Sequence, residues 1–303
     1  MKRRLFALLL LPLLFACSGR QEAAVTETPA PTDAPVITEA PASEEVSFVT
    51  PDADTVAWET PEPPALPPVP TPSPTPEPTP TPKPLAGITI GLDPGHQQRA
   101  NHNTEPIAPD GSEYKAKCSS GTRGVASGVY EYEVNLNVAL KLKALLEEAG
   151  ATVVITRTAN NVNISNAERA EMFNEREVDL AIRLHCNGTD DTSVRGAFML
   201  VPTKERTAYF NENVRAASAI LEQYCAETGI EPRKRNGITY RSDQAGFNWC
   251  TRPIVCIEMG HLSNETEDLL LTNDSFQDKM AFGIYCGILA CFGPDSALEG
   301  GNS

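Results

Sequence analysis

Beyond about residue 85, short apolar runs alternate with longer stretches in which apolar positions recur every three or four residues. Runs at 87–92, 151–156, 179–184, 196–201 and 253–258 have strand length and are rich in aliphatic and β-branched residues. Between the first two, Val134, Val138, Leu142 and Leu145 mark one face of a helix over 130–149, which Gly150 ends. The same reasoning places helices at 165–177, 205–227 and 275–291, the last mostly apolar. Residues 97–127 show neither rhythm and read as a polar, glycine-bearing insertion. Strand and helix alternate along one stretch of chain. That pattern predicts a single α/β domain with a central, mostly parallel twisted sheet of about six strands and helices on both faces.

The first 84 residues follow no such rhythm. Lys2, Arg3 and Arg4 precede an apolar stretch from Leu5 to Ala16, which has the form of a secretory leader and is too short for a stable membrane span. Leu14-Phe15-Ala16-Cys17 resembles a bacterial lipobox, which implies cleavage before Cys17 and lipid attachment to it, and so a membrane tie outside the cytoplasm. A plain secretory leader is the simpler alternative. Residues 18–84 are dominated by Pro, Thr, Glu and Ala, a composition that cannot bury enough apolar surface to offset its ordering entropy. An extended tether of this length reaches on the order of 100–200 Å. The expected organisation is a leader at 1–17, a tether at 18–84, a domain at 85–293 and a tail at 294–303.

Charge narrows the function classes. The chain carries 25 Lys/Arg against 40 Asp/Glu, a net of −15, which leaves no basic face to displace counterions from a nucleic-acid backbone. Nucleic acid is therefore excluded as a partner. Seven cysteines follow Cys17 with no CxxC pair, so a zinc knuckle is not expected. Cys256 and Cys286 lie in apolar runs and read as small buried residues. Cys118 and Cys250 lie in loop-like sequence and are the better disulfide candidates.

Candidate chemistry gathers where the predicted strands end. His96, His185 and Glu258 close three of them, and in open α/β sheets sites collect beyond the strand ends. Each of the four histidines (His96, His102, His185, His261), taken singly, reads more readily as structural than as a ligand. Glu131 and Glu133 open the long helix, where carboxylates also complement the helix dipole. Two imidazoles and a carboxylate with a fourth position open to water form a known catalytic zinc set.

Ile90-Gly91-Leu92-Asp93-Pro94-Gly95-His96 resembles the first motif of the zinc-dependent N-acetylmuramoyl-L-alanine amidases of the bacterial cell wall, the amidase 3 group. Glu131 to Leu136 is similar to the second motif, with a glutamate four before an Asn-Leu pair. Val154-Ile155-Thr156-Arg157, Arg183-Leu184-His185-Cys186-Asn187 and Ile257 to Asn264 resemble the later ones, in order. The resemblance spans residues 87–292. It implies a peptidoglycan hydrolase that cleaves the amide between the lactyl group of N-acetylmuramic acid and L-alanine. It further implies Zn2+ held by His96, Glu131 and His185, with Glu258 as the catalytic carboxylate. Glu133 falls two residues late for a ligand. Three departures stand out: a long insertion expected to shape a rim of the site, Cys186 buried beside a ligand, and His261 where an aromatic residue is usual. A zinc peptidase cutting another peptidoglycan amide and a binding-only wall lipoprotein remain as rivals.

Overall fold

The computed structural model describes residues 83–292, apart from Ser112 and Arg235. The expected leader at 1–17, the expected tether up to residue 82, the expected tail and the lipid attachment expected at Cys17 lie outside the described residues.

Six strands form one sheet: β1 (Thr89–Pro94), β4 (Thr152–Ile155), β5 (Leu180–Asn187), β6 (Phe198–Pro202), β7 (Ile238–Arg241) and β8 (Ile254–His261). Their order is β4-β1-β5-β8-β6-β7. The first four run parallel, β6 is antiparallel to β8, and β7 is parallel to β6. The sheet is mostly parallel with helices on both faces, as the alternation predicts. Helix α1 spans Glu131–Glu148, α2 Asn166–Glu175, α3 Phe210–Thr228, α4 Ala245–Asn248, α5 Glu265–Leu271 and α6 Asp274–Phe292.

Alternation along each strand sorts residues between two cores. Ile90, Leu92, Ile182, Leu184, Met199, Val201, Val255 and Ile257 face α1, α3 and α6. Ala181, Phe198, Leu200, Ile254 and Cys256 face the opposite way, against Phe173 of α2 and Phe247 of α4. The apolar stripe of α1 (Val134, Val138, Leu142, Leu146) is buried against the first face. Its remaining side is solvated, which accounts for the three-and-four spacing. Helix α2 starts where Ser165 accepts the Glu168 N–H at 3.2 Å and the Glu168 carboxylate accepts the Ser165 N–H at 2.7 Å. That reciprocal pair satisfies two donors left open at a helix start.

Several elements differ from expectation. The insertion holds a two-stranded antiparallel ladder, β2 (Asn101–Pro106) with β3 (Tyr114–Cys118). Helix α3 begins at Phe210, not near Glu205, because a 3₁₀ turn at Lys204–Arg206 and an extended Thr207 come first. Strands β5 and β8 do not end at His185 and Glu258; their ladder continues to Asn187 and His261 through a shift of register. Cys118 and Cys250 form no disulfide and are free, as are the other five described cysteines. The ladder carries Cys118 inward, and Cys250 packs in the core with Phe247; each thiol is turned to a backbone carbonyl, of Ser119 and Arg252 respectively. Burial raises both thiol pKa values, that of Cys250 to about 11, so neither is a reactive thiolate at neutral pH.

Candidate functional site

The parallel strands place their C-terminal ends on one edge of the sheet, and the polar residues gather there. His96 lies two residues past β1, with φ 62, in the left-handed region that a histidine rarely adopts. That geometry is held from below. Arg157 donates to the carbonyls of Pro94 and Gly95 (2.8 and 3.1 Å) and to that of Tyr132 at 2.8 Å. One guanidinium thereby ties the His96 turn to the first turn of α1. Position 95 requires glycine because a Cβ there would run into the His185 ring.

Beneath the turn Asp93 is fully buried and accepts from Thr156 Oγ1 (2.8 Å), Arg169 Nη1 (2.7 Å) and Arg183 Nε (2.9 Å). Burial alone would raise its pKa, but the two guanidiniums outweigh that and hold the carboxyl well below its usual range. Arg169 also donates to the carbonyls of Pro94 and His96. The network is a plinth on which the first motif stands.

On it three side chains converge. Glu131 Oε1 lies 3.1 Å from His96 Nε2 and 3.1 Å from His185 Nδ1. The two imidazoles meet edge to face at 82°, with centroids 4.7 Å apart. Glu131 Oε2 accepts the Thr122 N–H at 2.9 Å, and Oε1 accepts the Cys186 N–H at 3.1 Å. Burial raises the Glu131 pKa, yet the His96 and His185 imidazoles prevail and keep it ionised. Burial drives the His185 pKa down to about 4, so the ring is neutral at neutral pH and has a lone pair to give. His96 Nδ1 is 3.1 Å from the Ser119 carbonyl and 2.9 Å from its hydroxyl, an arrangement that puts the proton on Nδ1 and frees Nε2.

These donors fit a dication. Their side chains are little exposed (19, 4 and 12 % for His96, Glu131 and His185), and their donor atoms all lie within 4.8 Å of one another. The 3.1 Å separations approach the edge of a zinc tetrahedron with bonds of about 2.0–2.1 Å, which is about 3.3 Å. Glu258 is the register partner of His185 on the adjacent strand. Its Oε2 is buried and has no hydrogen-bond partner. Burial, then the Glu131 carboxylate, push its pKa well above the ordinary range. It is the side chain of the group best suited to hold a proton.

The other candidates separate cleanly. His102 sits exposed on β2. Glu133 accepts the Tyr130 N–H at 3.0 Å and closes the helix start, away from the donor group. Cys186 points to the opposite face from His185, buried, with a thiol pKa raised well above normal by that burial. His261 is fully buried with Nε2 3.0 Å from the Asn187 amide, and its ring lies 5.9 Å from Phe198. The insertion gives the site Ser119 and the Thr122 N–H. Sequence reasoning gave no role to Asp93, Arg157, Arg169 or Ser119. A charged residue inside an apolar strand, as Asp93 and Arg183 are, is the available signal, because such a charge is buried only when paired.

The amidase 3 family, described as N-acetylmuramoyl-L-alanine amidase, matches residues 90–290. The germination-specific N-acetylmuramoyl-L-alanine amidase of Bacillus subtilis is 29% identical over 224 residues, covering 69% of this chain and 81% of the relative. The crystal structure of the amidase Ami1 from Mycobacterium smegmatis superposes with a TM-score of 0.63 at 26% identity, covering 67% of this chain and 96% of that one. The apo form of Ami1 from Mycobacterium abscessus gives 0.64 at 26% identity, covering 68% and 99%.

Proposed function

The chain belongs to the N-acetylmuramoyl-L-alanine amidase family and is a cell-wall hydrolase, and from that premise we propose that His96, Glu131 and His185 hold Zn2+ while Glu258 serves as the general base. A zinc ion held there would polarise the scissile carbonyl and acidify water beside it. The three donors are pre-set for this. Glu131 is ionised, His185 is neutral, and the Ser119 carbonyl fixes the tautomer of His96.

Glu258 takes a proton from the water that attacks the lactyl carbonyl carbon. The new C–O bond forms as the C–N bond to alanine breaks, and the same proton passes to the departing amine. The products are a muramic-acid carboxylate and a peptide with a free N-terminal alanine. A carboxylate whose pKa is raised by burial is the stronger base once ionised, and no hydrogen bond from the protein competes for its Oε2. The single observation that carries the reading is the pairing of Glu258 with His185 across β5 and β8, beside the three-donor group.

Peptidoglycan is the substrate, and action on it is extracytoplasmic. Lipid attachment at Cys17 and a tether over 18–84 would set the domain at a distance from the membrane. Cys17→Ala should then move the protein out of the detergent-soluble membrane fraction; unchanged fractionation would favour a plain leader. The activity is tested by digesting purified peptidoglycan and identifying the new amino termini. N-terminal alanine supports the reading, and any other new terminus points to a peptidase instead.

A further inference from the structure

Beside the catalytic row stands Arg233, whose charge opposes the burial that raises the Glu258 pKa. Segment 231–233 is pinned to the start of β6 by the Arg233 N–H to the Ala197 carbonyl (2.7 Å) and the Ala197 N–H to the Glu231 carbonyl (3.0 Å). Gly196, at φ +101, permits that approach, since a Cβ there would stand 2.8 Å from the Glu231 carbonyl oxygen. The result sets the Arg233 guanidinium 4.7 Å over the Phe198 ring. Phe198 is in turn the register partner of Glu258 on β8. Arg233, Phe198, Glu258 and His185 thus form a row across β6, β8 and β5 on one face of the sheet.

The Arg233 guanidinium is half-buried and has no hydrogen-bond or ion-pair partner among the described residues. Arg241, the register partner of Pro202 at the far end of β6, is committed: Nε and Nη2 donate to the Asp243 carboxylate at 2.7 and 2.8 Å, and Lys115 pairs with the same group. A stacked, oriented, unpaired guanidinium is built to receive a carboxylate.

The substrate offers one only on one side. In an N-acetylmuramoyl peptide the lactyl carboxyl is consumed in the scissile amide and the sugar amine is acetylated, so the glycan side is neutral. Negative charge resides in the peptide beyond alanine. Strands lie about 4.8 Å apart, which puts β6 about 10 Å from β5. An extended peptide covers that span in about three residues at 3.3–3.6 Å each.

We propose that Arg233 binds a free carboxylate of the stem peptide, on the leaving-amine side of the scissile bond, and makes this enzyme selective for acidic over amidated stem peptides. The proposal rests on the amidase reading above. The test uses two muramoyl-L-alanyl peptides that differ only in whether the carboxylate following alanine is free or amidated, with wild-type protein, Arg233→Gln and Arg233→Lys. The wild type should favour the free acid. Arg233→Gln should lose about tenfold in kcat/KM on the acid, mostly through KM, and little on the amide, as for a hydrogen bond between charged groups. Arg233→Lys should recover part of the loss. Equal losses on both substrates, or a fall in kcat alone, would show that Arg233 supports the fold or Glu258, and would overturn the proposal. So would no loss on either. Wild-type protein that releases no N-terminal alanine from either substrate would overturn the amidase reading itself, a different result from all of these.

Discussion

Replacing Asp93 by Asn tests whether the site rests on a buried charge network. In the native chain two guanidiniums, Arg169 and Arg183, both nearly unexposed, share one fully buried carboxylate. Asp93→Asn keeps the volume and one acceptor oxygen but turns an amide N–H toward a guanidinium. Two buried positive charges then lose their counter-ion. Removing one partner of a buried pair costs about 3–5 kcal/mol. For a domain of this size 1 kcal/mol moves Tm by about 2–4 °C, so the expected drop is about 6–20 °C. The pH dependence adds a second signature. The Asp93 pKa is depressed on folding, so its stabilisation is complete above the unfolded carboxylate value of about 3.9 and is lost as pH falls toward the depressed folded value. Scanning calorimetry of wild type and variant should therefore show a Tm gap that is flat from neutral pH down to about pH 5 and narrows only below about pH 4. A gap under about 3 °C, or one that changes between pH 6 and 8, would refute the reasoning.

The remaining predictions separate ligand from base. Glu258→Gln should retain zinc, measured by metal analysis, while kcat falls ~10²–10⁴-fold. His96→Ala, His185→Ala and Glu131→Gln should each lose zinc and activity together; a Glu131→Gln protein that keeps zinc, beside a Glu258→Gln protein that loses it, would reverse the two carboxylate roles. Glu133→Gln should leave zinc content unchanged, because its carboxylate caps the helix start. Reducing agent should leave the Tm unmoved, since the described cysteines are all free; a drop would mean a disulfide that the structure lacks.

What the sequence discloses depends on whether a residue's partners are close in the chain. His96, His185 and Glu258 stand out because each interrupts an apolar strand pattern near its end, and the strands themselves follow from composition. Glu131 stands out only by its spacing from Asn135 and Leu136, since by itself it resembles any acidic residue at a helix start. Strand β2 is invisible because Asn101-His102-Asn103-Thr104-Glu105-Pro106 has no apolar face. It is held by long-range bonds instead: the Glu105 carboxylate accepts the Asn166 N–H at 3.1 Å at the start of α2, and Trp249 Nε1 donates to the Pro106 carbonyl at 2.9 Å. The same holds for Ser119, which reaches His96 from 23 residues away. The burial of Cys118 and Cys250 is hidden for a related reason, because loop-like composition does not reveal that the ladder and α4 carry them inward. Phe198 and Arg233 come together only through the pinning of segment 231–233 to β6.

In the proposed metal site two imidazoles and one carboxylate are the protein ligands. X-ray absorption at the zinc edge of the purified full-length protein tests it most directly. The result expected is a first shell of nitrogen and oxygen donors alone, at about 2.0–2.1 Å, whose signal is lost in His185→Ala. A sulfur donor at about 2.3 Å would bring in a cysteine such as Cys186 and contradict the assignment, as would an unchanged shell in His185→Ala.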